Sequence, residues 1–227
     1  RKPAAPQSIA GPASVKHTGG KGGRGFSMAP NYHAFKRHIQ EGQPYTIPEF
    51  VLGTRYYLHD FHSLLVQDGY QVILTDQAGQ QVATSTLQML SIDRRDESNI
   101  DEMNRLGSLK DMDEIGIAPT FVVTGNIPMV IRESLLPEVF RMGENVVKGA
   151  HKRFGGLWGP FCLETVVTDK LEFRVFEISA RIVAGTNPFV GGSPYSEMIA
   201  PGLSTGRRIA QEIKLAAQTG QLGKILT

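Results

Sequence analysis

Apolar residues return at about every 3.6 positions between Ser134 and Lys152, where Leu135, Val139, Met142, Val146 and Ala150 share one face. This is the strongest helical pattern in the chain, with Ser134 as candidate N-cap and Pro137 tolerated in the first turn. A second amphipathic helix is expected from about Thr205, carrying Ile209, Ile213 and Leu215, and a short one over Asn31–Gln40. Elsewhere the pattern is strand-like. Ala13–Lys16 and Phe26–Ala29 bracket a glycine cluster, and Thr46–Val51 and Thr54–Phe61 are rich in Tyr, Phe and Thr. Val72–Leu74 and Val82–Ile92 flank the turn-rich Asp76–Gln81, which suggests a hairpin. Thr120–Thr124 is a β-branched run ending at Gly125-Asn126. Gly159–Val167 and Phe173–Ser179 form a second hairpin across Thr168-Asp169-Lys170. Asp93–Ile115 is expected as a long polar surface loop with a short helix, and residues 184–204 as a Gly/Pro/Ser-rich loop. Residues 1–13 read as a linker or a frayed start, and the chain shows no internal repeat. Strands and helices mix without βαβ alternation, so the expected class is α+β with a mainly antiparallel sheet.

Composition excludes several classes. With 227 residues, 41% hydrophobic and 20% charged, the chain is neither disordered nor fibrous. Lys plus Arg is 24 against 22 for Asp plus Glu, so neither a nucleic-acid binder nor a membrane-surface binder is expected. The charge is uneven, however. The seven basic residues Arg1, Lys2, Lys16, Lys21, Arg24, Lys36 and Arg37 all precede the first acid, Glu41, which leaves 17 basic against 22 acidic side chains beyond it. A positive head before an acidic body suits a site for an anion plus a cation. The single cysteine, Cys162, excludes a disulfide framework and any multi-cysteine metal site, and points to a reducing compartment such as the cytoplasm. No apolar run of about 18 residues predicts a membrane helix. No charged-then-apolar leader is read, and the opening on Arg1 reads as a fragment or a processed piece.

Two patterns could carry chemistry. In Gly19-Gly20-Lys21-Gly22-Gly23-Arg24-Gly25 the glycines let backbone N–H groups approach phosphate oxygens, with Lys16, Lys21 and Arg24 adding charge. No Gly-Lys-Ser/Thr ends the cluster, so it is not a P-loop; the alternative is a mobile basic loop. Glu164 and Glu177 lie thirteen apart on the two strands of the second hairpin and would sit opposite each other on one face. Unpaired carboxylates there repel by roughly 1 kcal/mol or more, which a hard cation such as Mg²⁺ would relieve. Alternatively one carboxylate is solvated, or pairs with Arg174 or Arg181.

Other positions are weaker. Glu49, in Pro48-Glu49-Phe50-Val51, suits a nucleotide hinge or an exposed strand end. Asp93-Arg94-Arg95-Asp96-Glu97-Ser98-Asn99 reads as a solvated charge cluster. Asn126 binds a polar ligand or caps a turn, and Gly185-Thr186-Asn187 is a substrate lid or a plain loop. His33 and His38 are off one helical face, and His59 and His62 would face opposite sides of a strand, so neither pair suits a metal. Cys162 reads as a core thiol, and Trp158 as core or rim.

A basic glycine loop, a hinge glutamate and a carboxylate pair on a hairpin, in that order, resemble the ATP-grasp carboxylate–amine ligases. Longer strings are similar to the archaeal-type formate-dependent FAICAR synthetase family. They are Gly125-Asn126-Ile127-Pro128, Arg132-Glu133-Ser134-Leu135-Leu136-Pro137, Gly159-Pro160-Phe161-Cys162-Leu163 and Phe176-Glu177-Ile178-Ser179-Ala180-Arg181. Asp96-Glu97-Ser98-Asn99-Ile100-Asp101, Gly192-Ser193-Pro194-Tyr195-Ser196 and Gly206-Arg207-Arg208-Ile209-Ala210 fit as well. The resemblance implies an ATP-grasp fold, with a small glycine-loop lobe over residues 1–50 and a larger lobe over 51–227. It implies that Lys16, Lys21, Gly22, Gly23, Arg24 and Gly25 grip ATP phosphates, that Glu49, Phe50 and Val51 form the adenine hinge, and that Glu97 contacts ATP. Asn126 would hold 5-aminoimidazole-4-carboxamide ribonucleotide, and Glu164 and Glu177 would ligate Mg²⁺ or Mn²⁺. Arg181 would stabilise charge on the transferred phosphoryl group, and Ser179 stands where many ATP-grasp enzymes have a metal-binding Asn.

The implied reaction is ATP- and formate-dependent formylation of that ribonucleotide through formyl phosphate, in purine biosynthesis, by a cytoplasmic homo-oligomer. The resemblance implies a family with an N-terminal α/β domain, which would then be missing from the sequence given. The segment between the glycine loop and Glu49 is short, and Gln67–Gln88 is long for the family. A paralogous ATP-grasp ligase with another substrate, or a non-catalytic nucleotide-binding module, are the competing readings.

Overall fold

The computed structural model describes residues 13–17, 26–29, 44–46, 51–105, 115–118 and 120–226. The chain divides into two compact units, Arg1–Leu52 with Asp96–Thr124, and Gly53–Arg95 with Gly125–Thr227.

In the first unit, strands β1 (Ala13–His17), β2 (Phe26–Ala29) and β3 (Tyr45–Thr46) form an antiparallel sheet in the order β2-β1-β3. The apolar stretch before the glycine cluster therefore pairs with the return strand after it, Lys16 lying opposite both Phe26 and Thr46. The strand expected over Thr46–Val51 is found at Tyr45–Thr46, and Val51 belongs to no strand. The helix expected over Asn31–Gln40 lies outside the described residues. Helix α1 (Ser98–Arg105) belongs to this unit as well. Asn99 anchors its start, donating from Nδ2 to the Ala118 carbonyl at 3.0 Å and accepting from the Thr120 N–H at 2.7 Å.

The second unit is built on strands β4 (Thr54–Ser63), β5 (Tyr70–Thr75), β6 (Gln81–Glu97), β7 (Val123–Pro128), β8 (Gly159–Val167) and β9 (Phe173–Ser179). Their order is β5-β6-β4-β8-β9, with β7 added beside β6. Both expected hairpins form, and β5–β6, β6–β4, β4–β8 and β8–β9 are all antiparallel.

Because side chains alternate along a strand, β4 turns Leu58, Asp60 and His62 to one face and Tyr57, His59, Phe61 and Ser63 to the other. Helix α2 (Leu136–Phe154) covers the first face, packing Val139, Met142 and Val147 against Leu58, Val72, Leu74, Leu87, Ile92 and Leu163. Each such aliphatic side chain contributes roughly 1.5–3 kcal/mol on burial. The helix stops at Gly155, whose left-handed φ of +83° lets its N–H reach the His151 carbonyl. On the same face, the His62 ring stacks on Trp158 with centroids 4.4 Å apart and meets the Ser85 hydroxyl at 2.8 Å. Burial lowers the His62 pKa to about 4, so the ring is neutral.

Helix α4 (Thr205–Gln218), capped by Ser204, covers part of the second face and is followed by the short α5 (Leu222–Ile225). Between β9 and α4 lies the short helix α3 (Pro194–Ile199).

Several sequence expectations are corrected here. β6 runs on to Glu97, so Asp93–Glu97 is strand and not loop, because Asp93 pairs with Tyr57 of β4. The strand expected at Thr120–Thr124 is displaced to Val123–Pro128 by its pairing with β6. Ser134 sits inside a 3₁₀ turn, Glu133–Leu135, and Leu135 occupies the N-cap without a side-chain cap bond. The loop expected over 184–204 contains α3, because the Ser193 hydroxyl accepts from the Tyr195 N–H and Pro194 suits the first turn. The buried stripe of α4 is Arg208, Glu212 and Ala216, whereas Ile213 is 42% exposed.

That stripe is polar because its partners are. Arg208 Nη1 donates to Glu212 Oε2 at 2.9 Å, and Nε donates to Gln88 Oε1 at 2.6 Å. Its guanidinium lies 4.1 Å from the Phe61 ring centroid. The Ser63 hydroxyl contacts both Glu212 oxygens, at 2.8 and 2.9 Å. Removing one member strands a buried charge, so Glu212→Ala should lower unfolding free energy by about 3–5 kcal/mol in denaturant titrations.

Asp60 is the opposite case. It is fully buried under α2, its Oδ2 has no hydrogen-bond partner among the described residues, and burial pushes its pKa up to about 8. A Cβ at Gly143 would lie 3.1 Å from that oxygen, so only glycine leaves it room. The carboxyl is neutral in the fold and ionised in the unfolded chain between pH 3.8 and about 8. Its contribution to stability is therefore complete below the unfolded value and is lost as pH rises through the folded one. Asp60→Asn should flatten the fall in stability between these limits and leave the protein more stable than wild type at pH 8, as read by urea melts across pH.

Candidate functional site

The charged face of the second sheet is assembled by strand register. Asp93 of β6 lies opposite Tyr57 of β4, Tyr57 opposite Glu164 of β8, and Glu164 opposite Glu177 of β9. These four residues form one row, and the expectation that the two glutamates face each other holds. The pairing depends on a bulge: Glu177 pairs with Glu164 but Val175 with Thr165, so Phe176 is the extra residue.

Arg95, two residues beyond Asp93, projects onto the same face. Its guanidinium lies 3.6 Å from the Tyr57 ring centroid, and Nη1 is 3.8 Å from Glu164 Oε2. The Arg95 side chain is only 8% exposed, and its Nε and Nη2 have no hydrogen-bond partner among the described residues. Asp93 is engaged elsewhere, 3.0 Å from His59 Nε2 and accepting from the Ser91 hydroxyl. The Ser179 hydroxyl donates to Glu164 Oε1 at 3.5 Å. Cys162, two residues before Glu164 on β8, packs against Tyr57 and is fully buried. Burial, and then the charge of Glu164, push its thiol well up in pKa, so it is an inert core thiol.

No group of three or more His, Cys, Asp or Glu side chains clusters among the described residues. Among the described residues the candidate cation site is thus the Glu164–Glu177 pair. Two hard carboxylates that leave further coordination positions to water and phosphate oxygens suit Mg²⁺ or Mn²⁺, so the residues present fit the ion.

A second polar centre adjoins the loop after β9. Val183 packs with Tyr57 and Cys162, and the Thr186 N–H donates to its carbonyl at 3.2 Å. Gly185 lies against Asn126 of β7, whose Nδ2 and Oδ1 are both buried without partners among the described residues; the buried Thr186 hydroxyl oxygen also lacks one there. Unsatisfied buried donors and acceptors are rare in folded proteins, and here they offer an amide edge and a hydroxyl to a polar ligand.

The remaining sequence candidates fall as follows. Lys16 lies in β1, Val51 is half-buried outside any strand, and Glu97 ends β6, where its N–H donates to Asp101. All three belong to the first unit. Lys21, Gly22, Gly23, Arg24, Gly25, Glu49 and Phe50 lie outside the described residues. Arg181 is exposed just beyond β9 and donates from Nη1 to the Ile182 carbonyl at 2.9 Å. Arg174 pairs with Glu172 at 2.8 Å. Arg95 was not singled out in the sequence, because it sits in a dense run of charge. The signal available was the continued alternation Ser91, Asp93, Arg95 beyond the apolar part of the strand.

Gly185 holds a left-handed φ of +83°, and a Cβ there would stand 2.8 Å from Asn126 Oδ1. Gly185→Ala should displace the Asn126 amide and weaken ligand binding about tenfold or more, with a stability loss of only about 1–2 kcal/mol. Ligand titration and thermal melting of the same variant separate the two effects.

Proteins similar to this chain include a 5-formaminoimidazole-4-carboxamide-1-(beta)-D-ribofuranosyl 5'-monophosphate synthetase from Methanococcoides burtonii. It is 56% identical over 222 residues, covering 98% of this chain and 60% of the relative. The protein of the same name from Pyrococcus abyssi is 43% identical, with 98% and 63% covered. The chain thus spans about 60% of the length of these relatives. Among solved structures, the IMP biosynthesis protein PurP from Thermococcus kodakaraensis superposes with a TM-score of 0.65 at 24% identity, over 100% of this chain and 61% of that one. This likeness shows a shared fold, and the chain has the α+β class with a mainly antiparallel sheet expected from its sequence. Residues 35–227 match the family described as Domain of unknown function (DUF1297), and with most of its length inside that match the chain belongs to this family.

Proposed function

We propose that the chain carries the ATP- and metal-binding part of a C–N ligase that formylates 5-aminoimidazole-4-carboxamide ribonucleotide at the expense of ATP and formate. The observation that carries this reading is the Glu164–Glu177 cross-strand pair with Arg95 beside it, on one sheet face. Relatives named as synthetases of the formylated ribonucleotide support the choice of substrate.

Glu164 and Glu177 would hold Mg²⁺ or Mn²⁺, which when bound offsets negative charge on nucleotide phosphate oxygens. A formate oxygen bonds to the γ-phosphorus as the bridge to ADP breaks, giving formyl phosphate. The 5-amino nitrogen then attacks the formyl carbon, phosphate leaves, and the nitrogen loses a proton. No covalent intermediate with the protein is needed, so its contribution is positioning, charge neutralisation and exclusion of water. In this reading Asn126 presents a donor and an acceptor to the substrate carboxamide, which has the complementary pair. Lys16 and the segment Lys21–Gly25 hold ATP phosphates, Glu49–Val51 and Glu97 its nucleoside, and Arg181 assists at the transferred phosphoryl group. The partners are then small molecules, with a cytoplasmic homo-oligomer as the working form. No helix among the described residues is long and apolar enough to cross a membrane.

The test is ADP release by the full-length protein with Mg-ATP, omitting formate or the ribonucleotide in turn. Release should require both and yield the formylated ribonucleotide. Glu164→Gln should lower kcat by about a hundredfold or more, and chelation of the metal should abolish release. ADP release that ignores formate or the ribonucleotide would point to a ligase acting on another substrate, whereas Mg²⁺-independent ATP binding without turnover would point to a binding module.

A further inference from the structure

Arg95 occupies an unusual environment for a guanidinium. Its side chain is 8% exposed, yet two of its nitrogens have no hydrogen-bond partner among the described residues. Asp93, two residues before it on β6, is taken up by His59 and Ser91. Glu164 is 3.8 Å from Nη1, close enough for charge attraction but too far for a hydrogen bond. An arginine serving only as counter-ion to Glu164 would dock on it bidentately at hydrogen-bond distance.

The identity of the two unpartnered nitrogens matters. Nε and Nη2 make up one edge of the planar guanidinium, the edge whose two parallel N–H bonds match the two oxygens of a carboxylate or a phosphoryl group. The Tyr57 ring, 3.6 Å away, lies against a face of the plane and so restricts its tilt without using its donors. The row Tyr57–Glu164–Glu177 places two carboxylates on the same sheet face. An anion approaching them needs a fixed positive group besides any bound cation.

We infer that Arg95 is the oxyanion grip of this site, its Nε–H and Nη2–H edge binding two oxygens of the carboxylate substrate or of the phosphoryl group presented to the Glu164–Glu177 pair. This rests on the ligase reading above and adds a substrate-contacting residue to it. The role requires the fork shape of arginine as well as its charge, and lysine supplies only the charge.

The experiment compares full-length wild type with Arg95→Lys, which keeps a cation beside Glu164, and Arg95→Gln. Steady-state kinetics give the KM for formate, the KM for ATP, and kcat. Calorimetry gives the affinities of formate and of inorganic phosphate for the Mg-ADP complex. With the carboxylate as the gripped anion, Arg95→Lys raises the formate KM about tenfold or more at an unchanged melting temperature. With the phosphoryl group as the gripped anion, kcat and phosphate affinity each fall about tenfold or more while the formate KM stays constant. In either case Mg-ADP affinity stays within about twofold. The proposal is overturned if Arg95→Lys matches wild type in every constant. It is equally overturned if neither anion binds wild type, or if Mg-ADP affinity and melting temperature fall in step with the rest. Should wild type fail to turn over formate and the ribonucleotide, the ligase reading falls, and the anion affinities still decide the role of Arg95.

Discussion

The alternation of side chains along β4, β8 and β9 is the constraint on which the second unit depends. It separates an apolar face, on which α2 packs, from a charged face that carries Tyr57, Glu164 and Glu177 in one row. A slip of one residue in either pairing would bury the glutamates under α2 and expose Leu58 and Leu163. The aliphatic contacts with α2 therefore hold the register, and the register holds the site. Phe176 shows how finely this is set, since its bulge absorbs the one surplus residue that would otherwise put Glu177 on the wrong face.

Buried charge is treated differently on the two faces. On the site side it is organised. Arg208 and Glu212 bond to one another and to Gln88 and Ser63, with the Phe61 ring against the guanidinium and only Arg208 Nη2 left over among the described residues, which fastens α4 to the sheet. Asp93 is held by His59 and Ser91. Arg95 and Asn126 go further, each with two buried polar atoms that no described residue satisfies. On the α2 side Asp60 stays in the fold by keeping its proton, which glycine at position 143 makes sterically possible. Incomplete satisfaction at Arg95 and Asn126 has a different meaning from that at Asp60, because their donors and acceptors adjoin the carboxylate pair or the glycine-bearing loop.

Much of this was legible in the sequence. The hairpin carrying Glu164 and Glu177 is signalled by two β-branched runs and a short polar turn, and such local pairing follows from loop length. The long helix is signalled by its apolar period. Legibility failed where the deciding contact was distant. Asp93–Glu97 has the composition of a solvated loop, yet it is strand because Asp93 finds Tyr57, 36 residues earlier, as its partner. Pro194–Ile199 has loop composition as well, and becomes helical through the Ser193 cap and the burial of Tyr195 and Ser196. On α4 the apolar pattern pointed to Ile213, while the polar partners waiting on β4 and β6 selected Arg208 and Glu212 for burial.

By itself the sequence determined the α+β class and the two hairpins, because each follows from short-range periodicity and turn length; the opposition of Glu164 to Glu177 also took the bulge at Phe176, which neither signals. Its longer strings also determined the family resemblance. The tertiary structure alone decided that Arg95 leaves the solvated charge run and lies over Tyr57 beside Glu164. It alone decided that Gly185 must lack a Cβ for the sake of Asn126, 59 residues away. Both are contacts between segments whose separation along the chain carries no periodic signal; strand pairing brings Arg95 to the carboxylates, and a loop crossing brings Gly185 to Asn126.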